Sequence, residues 1–247
     1  MLKTIASVLA GVALAAQAGQ PSDLPSIAAK LQQAVLDGNG SGIKAGRAAC
    51  IALLDAAPAS PNAPLIRYTI AYADWRLAYS PAASEKEKDE MLEDAQAQLI
   101  KAKHDDQWFA DELALLSAVY GGRAARNPDL AMTLGPEAWE SLKNAADAAP
   151  SNPRVMIMQG IFLMHTPAEY GGDPRRAEEL FRVATKAFDA APANAPWPNW
   201  GRVDAHMWLG QALAARGDND GARAEYNAAL ALAPNNGYVK GLLANLK

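Results

Sequence analysis

The tetrapeptide Asp-Ala-Ala-Pro occurs three times in this chain, ending at Pro58, Pro150 and Pro192, and a near copy, Ala-Leu-Ala-Pro, ends at Pro234. Proline lacks the amide hydrogen a helix interior needs, so each copy marks the end of a helix. The last three prolines stand 42 residues apart, and the 92 residues from Pro58 to Pro150 hold two further intervals of comparable length. Punctuation at such a period constrains the chain to a stack of similar helical units. Each unit buries its apolar face on its neighbours, and no unit has a complete core alone.

The clearest unit runs from Val203 to Asn236. Leu209-Gly210 falls in a first helix, Gly217-Asp218 in a turn, Ala222, Tyr226 and Ala229 in a second helix, and Pro234 at its end. Small residues at 210, 222 and 229 let two antiparallel helices approach closely, while Tyr226 fills the wider part of the seam. This segment resembles the tetratricopeptide repeat (TPR) over its whole length. The 42-residue spacing would also suit HEAT-type helical pairs; the small and aromatic positions favour the TPR, with longer turns and helices taking up the excess.

Earlier units follow from this one by offset from their prolines. Ala177, Phe181 and Ala184 repeat the small–aromatic–small pattern, and Ala138, Leu142 and Ala145 repeat it with leucine in the centre. Ala95, Leu99 and Ala102 stand for a degenerate second unit, and Gly46, Cys50 and Leu53 for the first. The expected fold is all-α: a TPR-like superhelix of about five helical hairpins, with residues 237–246 as a C-terminal capping helix. The expected organisation is a cleaved signal peptide over 1–18, a degenerate N-terminal hairpin over 19–63 and the repeat domain over 64–247. Two insertions interrupt the pattern: 122–135, with its glycines and prolines, reads as a long turn, and 165–173 as a loop in which Asp173 caps a helix starting at Pro174.

Lys3, the apolar run from Ile5 to Ala16 and the small-x-small site Ala16-Gln17-Ala18 make the N-terminus a secretory signal with cleavage after Ala18. Its apolar run is too short to span a bilayer, and no other segment approaches that length, so no stable membrane anchor is expected. Cys50 is the single cysteine, which excludes an intrachain disulfide, and it sits on an apolar helical face, where a buried residue is expected. A formal net charge of −4 without a dense basic patch excludes a nucleic-acid partner.

Nothing in the sequence supports catalysis. His104, His165 and His206 are far apart, none lies in a His-Glu-x-x-His arrangement, and phosphate-binding glycine loops and serine elbows are lacking. His104-Asp105-Asp106 offers metal-ligand types, but adjacent turn residues seldom converge on one ion. His206 reads as a packed histidine. No cofactor or metal is expected.

The first helix of each hairpin lines the concave surface of a TPR. By the resemblance, Arg154, Ile157, Ile161, Met164 and His165 fall on that lining, followed by Asp204, Met207, Gln211 and Ala214. The first set is unusually apolar, which suits either an extended or helical segment of a partner or the chain's own loops and N-terminal helices. Trp197 and Trp200, framed by prolines, are a possible aromatic anchor if exposed and a cover between the last two hairpins if buried. The chain resembles secreted bacterial TPR proteins, most clearly over 153–246. That resemblance implies an exported, periplasmic, non-catalytic scaffold that binds a protein or peptide through its concave groove, as an adaptor or assembly factor. The alternative is a small-molecule or transport-associated binding protein with the same fold.

Overall fold

The computed structural model describes residues 23–102, 109–192, 195 and 197–246. The expected signal peptide and His104-Asp105-Asp106 lie outside them. Among the described residues there are eleven α-helices and no strand: α1 (Leu24–Leu36), α2 (Gly40–Ala56), α3 (Ala63–Ala78), α4 (Glu85–Ala102), α5 (Phe109–Arg126), α6 (Ala131–Ala148), α7 (Pro153–His165), α8 (Pro174–Ala190), α9 (Arg202–Ala215), α10 (Asn219–Leu232) and α11 (Gly237–Ala244). Consecutive helices pair as five hairpins, α1/α2 to α9/α10, and α11 packs on α10. Odd-numbered helices also touch one another in succession and form the inner layer; even-numbered helices form the outer one.

Local chemistry sets the helix ends. Asp23, Asn39, Asn152, Asp173, Asp218 and Asn236 each cap a helix, their side-chain oxygens accepting from backbone N–H groups of the first turn. A side-chain cap of this kind contributes about 1 kcal/mol. The recurring prolines follow helix ends: Pro58 lies after α2, Pro150 after α6, Pro192 after α8 and Pro234 after α10.

The small–aromatic–small rule explains the hairpin seams. Ala177, Phe181, Ala184, Ala222, Tyr226 and Ala229 are all buried. A Cβ at Gly160 would run into the Phe181 ring, and one at Gly210 would come within 2.5 Å of Tyr226. Glycine at these two positions is what lets the aromatic ring sit against the facing backbone. Cys50 is fully buried, and desolvation pushes its thiol up to about 12. Such a thiol is an inert core residue.

The insertion at 122–135 is shorter than its composition suggests. α5 continues to Arg126, a single 3-10 turn spans Pro128–Leu130, and α6 follows directly. Gly122 lies inside α5, where a Cβ would meet the Tyr79 hydroxyl at 2.7 Å, so it serves helix packing and breaks nothing. Pro136 lies inside α6 near its start and costs the helix one backbone bond without ending it. In the other insertion, a 3-10 turn and the left-handed Gly171 lead to Asp173, which accepts from the backbone amides of Arg175 and Arg176.

The superhelix winds far enough to bring its ends together. Twelve of the sixteen residues of α3 are buried, so this helix is covered on every side. Leu36 at the end of α1 packs into the C-terminal core with Met164, Trp208 and Leu242, and Asp37 accepts from Asn235 at 3.3 Å.

Candidate partner-binding surface

The inner layer is largely filled by the chain itself. Residues 197–200, ahead of α9, lay Trp197 and Trp200 onto α3. The Trp197 indole N–H donates to Thr69 Oγ1 at 2.9 Å, and the Trp200 indole N–H donates to Tyr68 Oη at 2.8 Å. Tyr72 stacks on Trp200 with centroids 5.4 Å apart and meets Trp197 edge-on at 5.3 Å. Both tryptophans are buried. Neither is an exposed anchor, and they reach beyond the last two hairpins to a helix more than 120 residues earlier in the chain. Large aromatics bury their area wherever a polar partner can satisfy the indole N–H, and α3 supplies a hydroxyl for each.

Beside them, Arg76 is enclosed by the rings of Tyr72, Trp75 and Trp200, with its guanidinium carbon 4.7 to 5.7 Å from their centroids. Its Nη2 donates to both oxygens of Asp204, at 2.8 and 2.7 Å. Burial works against the charge, but Asp204 outweighs it and holds the guanidinium firmly protonated. A second pair lies deeper: Arg154 Nε donates to Asp111 Oδ1 at 2.5 Å, and the Asn152 amide donates to Asp111 Oδ2 at 3.1 Å. Burial, with Asp111 nearby, pushes the Tyr68 phenol well above its ordinary range.

The residues expected to line the groove therefore divide. Arg154 and Asp204 are engaged in ion pairs with α5 and α3, and Ile157 and Met207 are buried in the C-terminal core. These four are not available to a partner: the spacing placed them on the inward face, and the tight winding of the superhelix closes that part of the face. Ile161, Met164 and Gln211 remain half-buried. Next to them, the exposed His165 ring meets Trp208 edge-on at 5.6 Å, and Trp208 stacks on Phe181. Ile161, Met164, His165 and Trp208 are thus the accessible part of the α7–α9 seam, whereas the Gln211 amide nitrogen is buried without a hydrogen-bond partner.

Sequence reasoning missed a second feature. Between α6 and α8, over α7, lies an open cleft of about 280 Å³ lined by residues that include Ala146, Met156, Gln159, Leu180 and Val183. Trp139 on α6 is half exposed, with its ring 5.4 Å from Phe162. Trp139 lies off the buried stripe of α6, which is Leu134, Ala138, Ser141, Leu142 and Ala145, and it is not among the residues that line the cleft.

His206 is packed, as its repeat position suggests. Its Nδ1 lies 2.7 Å from Glu225 Oε2 and its Nε2 3.5 Å from Asp189, and the bond to Glu225 holds the imidazole above its ordinary value. Among the described residues no cluster of His, Cys, Asp and Glu could hold a metal ion, and no helix is long and apolar enough to cross a membrane.

Comparison with known proteins agrees with this architecture. The tetratricopeptide repeat model matches residues 203–236, which hold α9 and α10. Among solved structures the chain is similar to the HusA haemophore from Porphyromonas gingivalis, at 24% identity and a TM-score of 0.60, over 80% of this chain and 96% of the haemophore. No curated protein matches the chain. Among the described residues the fold is all-α and TPR-like, and one tetratricopeptide repeat is recognisable in the sequence.

Proposed function

We propose that this protein is an exported, non-catalytic repeat scaffold, acting in the periplasm as an adaptor or assembly factor. It binds a protein or peptide partner on the α7–α9 seam. The observation that carries the reading is the contrast within the inner face. Its α3 side is closed by Trp197, Trp200 and the Arg76–Asp204 pair, whereas Ile161, Met164, His165 and Trp208 stay partly or fully accessible. An apolar strip bordered by an imidazole is the composition that takes a short segment of a partner, with the apolar groups giving affinity and the imidazole register. Export rests on the pattern Lys3, Ile5 to Ala16 and Ala16-Gln17-Ala18.

The test compares wild type with Met164→Glu, which places a charge on the strip at a half-buried position. Capture of a partner peptide or protein drops at least tenfold while helix content and melting stay near wild type. Equal capture by both proteins overturns the assignment of the seam.

A second reading is supported by the likeness to a haemophore. The exposed His165 imidazole beside Trp208, with the Met164 thioether nearby on the same helix, could serve a planar aromatic ligand such as haem. Titration with haemin separates the two. A Soret band that sharpens with wild type and is lost in His165→Ala supports a small-molecule ligand, and spectra equal to free haemin reject it.

A further inference from the structure

Asp74 is a fully buried carboxylate in the middle of α3, at the junction of α2, α3 and α4. Its Oδ1 accepts from Arg47 Nε of α2 at 2.5 Å, and its Oδ2 has no hydrogen-bond partner. The same guanidinium donates through Nη2 to Asp94 of α4 at 2.6 Å. Asp94 in turn accepts from Gln98 at 3.2 Å, and Gln98 accepts from Arg67 at 2.9 Å. Two carboxylates therefore share one guanidinium, and the next cation, Arg67, is separated from them by an amide.

The two carboxylates differ in what ionisation costs. The Asp94 side chain is about one-third exposed and satisfied by Arg47 and Gln98, whereas that of Asp74 is cut off from water with one oxygen unpaired. A buried, half-satisfied carboxylate is far cheaper neutral than charged. The balanced arrangement is a charged Arg47, a charged Asp94 and an uncharged Asp74.

We propose that Asp74 binds a proton when the protein folds, and that this proton ties docking of the N-terminal hairpin α1/α2 to pH. Release of the proton leaves two negative charges against Arg47 at the seam through which α2 meets α3 and α4. The hairpin is held less tightly once that proton is lost. Burial, opposed by Arg47, raises the Asp74 carboxyl to about 7, and Asp94 adds to the rise. A folded value above the unfolded one, about 3.9, means that the folded state holds the extra proton between them. Stability from this group is then full at the acid end of the window and declines as pH rises toward 7, by up to tenfold in the folding equilibrium per pH unit.

Urea unfolding of the full chain across pH 4.5 to 8 tests this, with hydrogen exchange read separately on α1/α2. Asp74→Asn, which keeps the shape and has no proton to lose, should remove up to a tenfold change per pH unit from the profile and flatten exchange in α1/α2. Asp94→Asn should shift the Asp74 transition to lower pH, because Arg47 is then shared with no competitor. If Asp74→Asn does not fold, the infrared carboxyl band decides: wild type keeps one protonated carboxyl at pH 6, and in Asp94→Asn that band titrates away at lower pH than in wild type. Parallel pH profiles for wild type and Asp74→Asn, or a wild-type infrared spectrum without a protonated carboxyl at pH 6, would overturn the proposal.

Discussion

Arg76 of α3 and Asp204 of α9 form an ion pair across 128 residues of sequence in which Nη2 donates to both carboxylate oxygens, and three aromatic rings enclose the guanidinium. The pair joins the N-terminal half of the superhelix to its last full hairpin. It also closes the part of the inner face that a straighter solenoid would leave open. Removing the carboxylate leaves the Arg76 charge enclosed without a counter-ion, which costs about 3–5 kcal/mol for a buried pair. Asp204→Asn should show this loss in urea unfolding. A change under 1 kcal/mol would mean that water reaches Arg76 freely.

Trp200 is the larger closing element. It is almost fully buried, stacks on Tyr72 and donates to Tyr68. Trp200→Ala removes this packing and leaves the Tyr68 hydroxyl without its donor, at a cost of about 3–5 kcal/mol. Trp197→Phe keeps most of the volume and loses the bond to Thr69, costing on the order of 1 kcal/mol. Thermal melts of both variants should rank them in that order.

Gly160 tests the hairpin seam. An added methyl would meet the Phe181 ring at a position where both helices are fixed by further packing. Gly160→Ala should destabilise by about 1–3 kcal/mol through overpacking, despite the better helix propensity of alanine. Gly121→Ala, on α5 with open space around it, should be neutral or slightly stabilising. Urea midpoints for the two variants should therefore move apart.

His206 gives a pH signature distinct from that of Asp74. Glu225 and then Asp189 raise it against the opposing effect of burial. A folded value above the unfolded one means that its stabilisation is complete below about pH 6.5 and is lost as pH rises through the folded value. His206→Gln should reduce the loss of stability between neutral and mildly alkaline pH and leave the slope on the acid side unchanged. A profile parallel to wild type above pH 6.5 would show that the Glu225 contact contributes no net proton linkage.

How far the sequence could be read depended on whether a feature was local or global. Ala222, Tyr226, Ala229 and Pro234 made the last hairpin legible because spacing within one hairpin is set by helix geometry. Ala177, Phe181 and Ala184 followed by the same ruler. Superhelix curvature is a sum of small rotations between hairpins, and no local spacing records it. For that reason Arg154, Ile157, Asp204 and Met207 could be expected on the inward-facing side while their burial could not be read. Trp197 and Trp200 could be suspected of burial, but their partners Thr69 and Tyr68 lie too far away in sequence to be paired by pattern. Gly122 misled for a simpler reason: a glycine required by close packing inside a helix looks like a glycine required by a turn.

Binding on the accessible part of the α7–α9 seam can be measured by affinity capture from the native cell envelope, run in parallel with wild type and Met164→Glu and quantified by mass spectrometry. At least one envelope protein should be enriched by wild type and reduced at least tenfold by the variant, with both baits equally folded. The same proteins captured in the same amounts by both baits would contradict binding at the seam.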